Sequence, residues 1–116
     1  MRAIKLKDDI FETEVVVYLS TMKEFNRMAK RKGFVPEDEE DTTGQHQVHF
    51  KGKATKHIIW VSSKSKNRIN ILAHEMIHMA MKRFKHLNIP INLANQETFA
   101  YFYGAMLGQA VKKLKI

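Results

Sequence analysis

The chain contains no cysteine and no long apolar run, and both absences narrow its chemistry. Without cysteine it can form neither disulfides nor thiolate zinc sites, so any bound metal must be held by histidine, aspartate or glutamate. No segment approaches the roughly 20 apolar residues that a membrane-spanning helix requires. The first ten residues alternate charged and short apolar side chains, so we expect no signal peptide and a cytoplasmic location.

Acidic residues are scarce relative to basic ones, at 12 against 20, which gives a net charge of +8. Such an excess is typical of proteins that bind nucleic acid or another anion. Here the basic residues are spread along the chain, which favours a solvated surface that keeps the protein soluble. Nucleic-acid binding stays open as the less favoured interpretation, and we expect no membrane partner. One acidic run, residues 37–41, opposes the trend.

The length of 116 residues and the 44% of hydrophobic residues suit a single domain, which we expect to span residues 1–116. Segments rich in β-branched and aromatic residues predict three strands, at 11–19, 45–50 and 57–62, and a short connection containing Gly52 joins the last two. Apolar residues at helical spacing predict three helices, at 22–32, 66–86 and from about residue 95 to the C-terminus. The expected class is α+β, with a small antiparallel or mixed sheet of about three strands and the order β-α-β-β-α-α.

Several helix ends have local signals. Thr21-Met22-Lys23-Glu24 has the form of a capping box, and Gly33 suits the left-handed position that follows a last helical turn. Pro90 requires the second helix to end before it. Asn95 is a favourable N-cap for the third helix.

The candidate metal-binding and catalytic residues lie in the segment His74-Glu75-Met76-Ile77-His78. Two histidines four residues apart project from one face of a helix, about one turn apart, where two neutral imidazoles can bind one zinc ion. Glu75 can then reach a water on the metal without binding the metal itself, and can act as general base and acid. This spacing arises by chance in only about 2% of chains of this composition and length.

A catalytic zinc site uses three protein ligands and leaves a fourth position open. His57 stays open as a ligand, whereas His86 lies too far along the same helix. Glu97 is the better candidate, because the connection between the two helices is long enough to bring it beside His78. Alternatively, the Glu97 carboxylate only stabilises the N-terminus of the third helix through the helix dipole. Close helix packing there predicts that a run of small residues faces the motif helix: Ala100, Gly104 and Gly108.

His74-Glu75-x-x-His78 followed by Glu97-x-x-Ala100 resembles the gluzincin branch of the zincin metallopeptidases, in particular the short zinc peptidases of bacteria and their phages. The resemblance covers about residues 57–108. It implies a minimal zincin-like fold, one catalytic Zn²⁺ held by His74, His78 and Glu97, and Glu75 as the general base and acid. It also implies that the strand ahead of the motif helix pairs with an extended substrate. That strand consists of His57, Ile58, Ile59, Trp60, Val61 and Ser62.

The resemblance also has departures. Larger gluzincins often carry an aspartate four residues after the third ligand, where this chain has Tyr101, so the partner that orients His74 is unassigned. Tyr101 and Tyr103 are candidates for stabilising the oxyanion of the transition state. Packing in the core is the alternative role of both side chains.

We therefore expect a zinc metalloendopeptidase that acts on a protein or peptide substrate, in the host cytoplasm if the gene belongs to a phage. A basic nucleic-acid-binding module is less favoured, because most aromatic residues fall on apolar helix faces. A third hypothesis is an interaction protein with a relic metal site, since so short a chain lacks much of the usual cleft. A DNA-associated protease would combine the first two.

Overall fold

The computed structural model describes residues 1–51 and 54–116, and the predicted connection at Gly52 lies outside the described residues. The element order is β1 (Arg2–Asp8), β2 (Thr13–Ser20), α1 (Met22–Lys32), β3 (Gly44–Lys51), β4 (Ala54–Ser62), α2 (Arg68–His86) and α3 (Gln96–Leu114). The predicted α+β class is confirmed, as are the three helices. The sheet, however, has four strands among the described residues rather than about three.

The strand missing from the prediction is β1. In it Ile4 and Leu6 alternate with Lys5 and Lys7, and Leu6 is fully buried while both lysines are exposed. Such alternation is the sequence pattern of a half-buried strand. β1 pairs antiparallel with β2, with Leu6 opposite Val15. The element order is therefore β-β-α-β-β-α-α.

The sheet is mixed, with the strand order β1-β2-β4-β3. β2 and β4 run parallel, and the two outer pairs are antiparallel. β4 is thus an interior strand in which, for example, Ile58 lies between Val16 and Gln47. This corrects the prediction that residues 57–62 pair with a substrate, because neighbouring strands already flank them on both sides. The outer strands are β1 and β3.

The ends of the helices follow the local signals in part. Thr21 and Glu24 form both bonds of the capping box, and Gly33 has a φ of 77° at the end of α1, as predicted. Asn95 occupies the N-cap position of α3 but makes no capping bond. Its side-chain amide instead donates to the Pro90 carbonyl at 2.9 Å. No helix in residues 1–51 and 54–116 is both long enough and apolar enough to cross a membrane.

Helices cover both faces of the sheet. The interior strands β2 and β4 are apolar on both sides, because successive side chains of a strand point to opposite faces. One face packs α2 and α3 against Val15, Val17, Ile59 and Val61. The other packs α1 against Val16, Tyr18, Ile58 and Trp60. α2 is therefore fixed by its apolar side, and its motif lies beside the outer strand β3.

Candidate metal and catalytic site

α2 packs closely against β3 at Gly44. A Cβ atom built on Gly44 would lie 2.6 Å from Ile71 Cγ2 and 3.1 Å from Glu75 Oε2. Contacts below 3.0 Å are too short for a real methyl group, so the absence of a side chain at Gly44 permits this approach. The contact places the Glu75 carboxylate against the first residue of β3.

His74 and His78 converge on one point. Both side chains are exposed, and their Nε2 atoms lie 3.1 Å apart. Their ligand atoms and a Glu75 carboxylate oxygen all lie within 4.8 Å of one another. Tetrahedral zinc with bonds of 2.0–2.1 Å holds two nitrogens about 3.4 Å apart. The histidine pair therefore fits a zinc ion after a shift of a few tenths of an ångström.

Glu75 is the buried member of this group, with 9% of its surface exposed. Burial raises the pKa of Glu75, while the neighbouring His74 and His78 act in the opposite direction. A carboxylate with a raised pKa accepts a proton more readily near neutral pH, as a general base requires. Burial also holds the side chain in place beside the histidines.

Glu97 does not belong to this group. Its side chain is exposed on the first turn of α3, where it lines a pocket with Asp8, Phe11 and Tyr101. The prediction that Glu97 is the third zinc ligand is therefore wrong for this structure. The rotation of α3 is set by its large apolar residues, which pack into the core: Phe99, Phe102, Tyr103, Met106, Leu107, Ala110 and Leu114.

The same rotation turns the small residues of α3 outward. Ala100, Gly104 and Gly108 are exposed, and a Cβ atom at either glycine would meet nothing within 4 Å. The prediction that they face α2 is wrong. Tyr101 is 76% exposed and lies with Glu97, so it does not reach the histidine pair. Tyr103 is half-buried and donates to the Ala73 carbonyl at 3.2 Å, which is a packing role.

A second histidine group, which the sequence did not predict, lies beside the motif. His46 of β3 and His57 of β4 stack at 5.2 Å between ring centroids, and His46 Nε2 lies 2.9 Å from His57 Nδ1. Burial is the main cause that lowers the pKa of His57 to about 3 and that of His46 to about 4, so both are neutral at pH 7. His57 is fully buried and does not belong to the group of converging ligand atoms at the motif.

An open cleft of about 570 Å³ connects the motif with β3. Its lining residues are His46, Gln47, Val48 and Phe50 from β3, and Glu75, His78 and Lys82 from α2. A larger groove of about 990 Å³ lies beside α1 and contains no histidine. Size alone therefore does not locate the site, whereas the convergence of ligand atoms does.

Comparison of the chain with protein-family models, with curated proteins and with solved structures found no match. The functional assignment therefore rests on the geometry of α2 and β3.

Proposed function

We propose that the protein is a zinc-dependent metallopeptidase of the zincin type, with the motif His74-Glu75-x-x-His78 on α2. The observation that carries the proposal is the convergence of the His74 and His78 Nε2 atoms, 3.1 Å apart, beside the buried carboxylate of Glu75. Chemically, two imidazoles suit zinc and a desolvated carboxylate suits proton transfer. Neither group needs a large movement to take up its role.

The proposed roles of zinc and of Glu75 follow from the chemistry of these groups. Zinc, when bound by His74 and His78, supplies a Lewis acid that makes water more acidic and a carbonyl more electrophilic. Glu75 accepts the proton of the water that attacks the peptide carbonyl and then delivers it to the leaving amine. Its partial burial holds the carboxylate in place while it still lines the cleft beside β3.

The proposed site has two histidine ligands, whereas most catalytic zinc sites have three protein ligands. With Glu97 on a different surface, the proposed site holds its metal by His74 and His78 and has more than one open position. Fewer protein ligands bind the metal less tightly. We therefore expect zinc to be lost to chelators readily and to need reconstitution after purification.

The outer strand β3 is the proposed binding edge for the substrate. It pairs with β4 on one side only, and its residues His46, Val48 and Phe50 line the cleft beside Glu75. An extended peptide can add to such a strand by main-chain hydrogen bonds. The peptide would then lie along the cleft, with one carbonyl near the histidine pair. This assignment replaces the interior strand β4.

Hydrolysis by the zinc-loaded protein and by Glu75→Gln tests the chemistry. The substitution keeps the shape of the side chain but removes its basicity, so we expect peptide hydrolysis to fall at least 10²-fold while zinc content stays unchanged. Glu97→Gln is the matched control, because it alters an exposed carboxylate outside the group. Activity of Glu75→Gln at the wild-type level would refute the role of Glu75. Loss of zinc in Glu97→Gln would instead restore Glu97 as a ligand.

A further inference from the structure

The charges of the chain are segregated along its sequence. Residues 42–116 contain 12 lysines and arginines but only two acidic residues, Glu75 and Glu97. Residues 1–41 contain 8 basic and 10 acidic residues, so the net positive charge comes from the later part of the chain. Asymmetry of this kind indicates an anionic partner more strongly than a uniform excess does.

The fold gathers cations from three segments that lack acidic residues. The Arg2 side chain donates to the Lys113 carbonyl at 3.2 Å, and Lys113 Nζ donates to the Lys5 carbonyl at 2.8 Å. Beyond them, the start of α2 and the end of α3 form a shallow pocket lined by Lys66, Arg68 and Lys115, together with Asn67 and Asn70. We call this surface the basic pole; its cations are Arg2, Lys66, Arg68, Lys113 and Lys115.

The cations of the basic pole form no salt bridge with a described carboxylate. Among the described residues, one ion pair is closer than 4.0 Å. It joins the N-terminal amine to Glu24 and involves no lysine or arginine side chain. The hydrogen bonds of Arg2 and Lys113 go to backbone carbonyls, which orient the cations without neutralising them. Since these two side chains are already held, ordering them on a partner costs less.

We propose that the basic pole binds the phosphate backbone of double-stranded nucleic acid without base specificity. Lysine and arginine side chains contact phosphates, and the amides of Asn67 and Asn70 can donate to phosphate oxygens. No aromatic residue lines the pocket of the pole, and stacking on single-stranded bases would need one. Ile69 is the large exposed apolar residue at the pocket, and its side chain is 47% exposed. One such side chain offers too little apolar area to bind a lipid surface.

The location of the pole connects it with the motif. Arg68 and His74 are six residues apart on α2, about 9 Å along the helix axis. A duplex held at the pole would therefore lie beside the first turns of the helix that carries the motif. Proteins bound to that duplex would be brought near the cleft. The clustering of these cations favours nucleic-acid binding over the interpretation that the basic residues only keep the protein soluble. Binding at the pole does not depend on peptidase activity.

Fluorescence anisotropy with labelled 20-base-pair DNA duplexes of two unrelated sequences tests the proposal. We expect equal affinities for the two sequences and a steep salt dependence between 50 and 200 mM KCl. If all five cations engage, the slope of log K against log salt is about −4.5, so affinity falls about 500-fold over this range. Absence of binding at 50 mM KCl would overturn the proposal, and so would tighter binding to phosphatidylserine vesicles than to the duplex.

Two triple variants with equal loss of charge locate the binding surface. Lys66→Gln/Arg68→Gln/Lys115→Gln alters the pole and should weaken binding at least 10-fold, with a slope shallower by about 3. The control Lys23→Gln/Arg27→Gln/Lys30→Gln alters the exposed face of α1, and we expect at most a 2-fold change. Equal weakening by both triples would show a net-charge effect and refute a site at the pole. If the pole triple melts early, Lys66→Gln/Lys115→Gln, outside the two helices, is compared with the double control Lys23→Gln/Lys30→Gln, which loses the same charge.

Discussion

Gly44→Ala should push α2 away from β3. The added methyl group would lie 2.6 Å from Ile71 Cγ2 and 3.1 Å from the Glu75 carboxylate, so the side chains or the helix must shift. Overpacking of this kind costs about 1–3 kcal/mol, against which replacing a glycine returns up to about 1 kcal/mol through the unfolded chain. We therefore expect a net loss of about 1 kcal/mol in the free energy of unfolding, from the middle values of the two effects.

Gly104→Ala is the matched control, since a Cβ there meets nothing within 4 Å and the position lies inside α3. It should stabilise the protein by about 1 kcal/mol, the difference in helix propensity between glycine and alanine. Urea unfolding of both variants measures the two changes, and an unchanged m-value shows that the midpoints are comparable. The two substitutions are chemically identical, so their opposite signs report the surroundings alone.

A double-mutant cycle identifies the contact that causes the loss. Ile71→Ala removes Cγ2, so Gly44→Ala should cost at least about 1 kcal/mol less in that background than in the wild type. Because Glu75 shares the contact, zinc-dependent hydrolysis by Gly44→Ala should also fall while the histidine pair still binds zinc. A Gly44→Ala protein that is as stable as the wild type would refute the close approach of α2 to β3.

Three further predictions concern single side chains. Between pH 6.5 and 5 the free energy of unfolding should fall by about 2 kcal/mol because of His57. Its pKa of about 3 keeps the imidazole neutral in the folded protein, whereas the unfolded chain takes up a proton near pH 6.5. An identical pH dependence of urea unfolding in His57→Asn would contradict this. Lys82 lines the cleft, so Lys82→Met should reduce cleavage of peptides with a glutamate near the scissile bond at least 5-fold and leave cleavage of neutral peptides unchanged. The control Lys112→Met should leave the cleavage of both kinds of peptide unchanged. Tyr103→Phe should cost about 1 kcal/mol in thermal unfolding by losing its bond to a backbone carbonyl, while exposed Tyr101→Phe should change neither stability nor hydrolysis.

The parts of the structure that depend on neighbouring residues were predictable. The capping box of Thr21 and the glycine at position 33 gave both ends of α1, and the spacing of His74 and His78 gave the convergence of their side chains. β1 carries a period-two alternation as well, so this strand was also predictable, although its segment is short and highly charged.

Features that depend on long-range packing were not predictable. α3 has two competing faces, one of small residues around Gly104 and one of large apolar residues around Met106, and helical periodicity alone does not decide which face turns inward. The larger face buries more apolar area and is the one in the core, which moves Glu97 away from the motif. The contact of His46 with His57 likewise follows from the register of β3 on β4, which no local pattern encodes.

Zinc content after reconstitution tests the central claim most directly. We expect one zinc per chain, by metal analysis after equilibrium dialysis, in the wild type and in Glu75→Gln, and none in His74→Ala or His78→Ala. His49→Ala is the matched control, because His49 contacts Gln47 and Phe34 on the α1 side of β3, and it should keep its zinc. A wild-type protein that takes up no zinc, or histidine variants that retain it, would contradict the account.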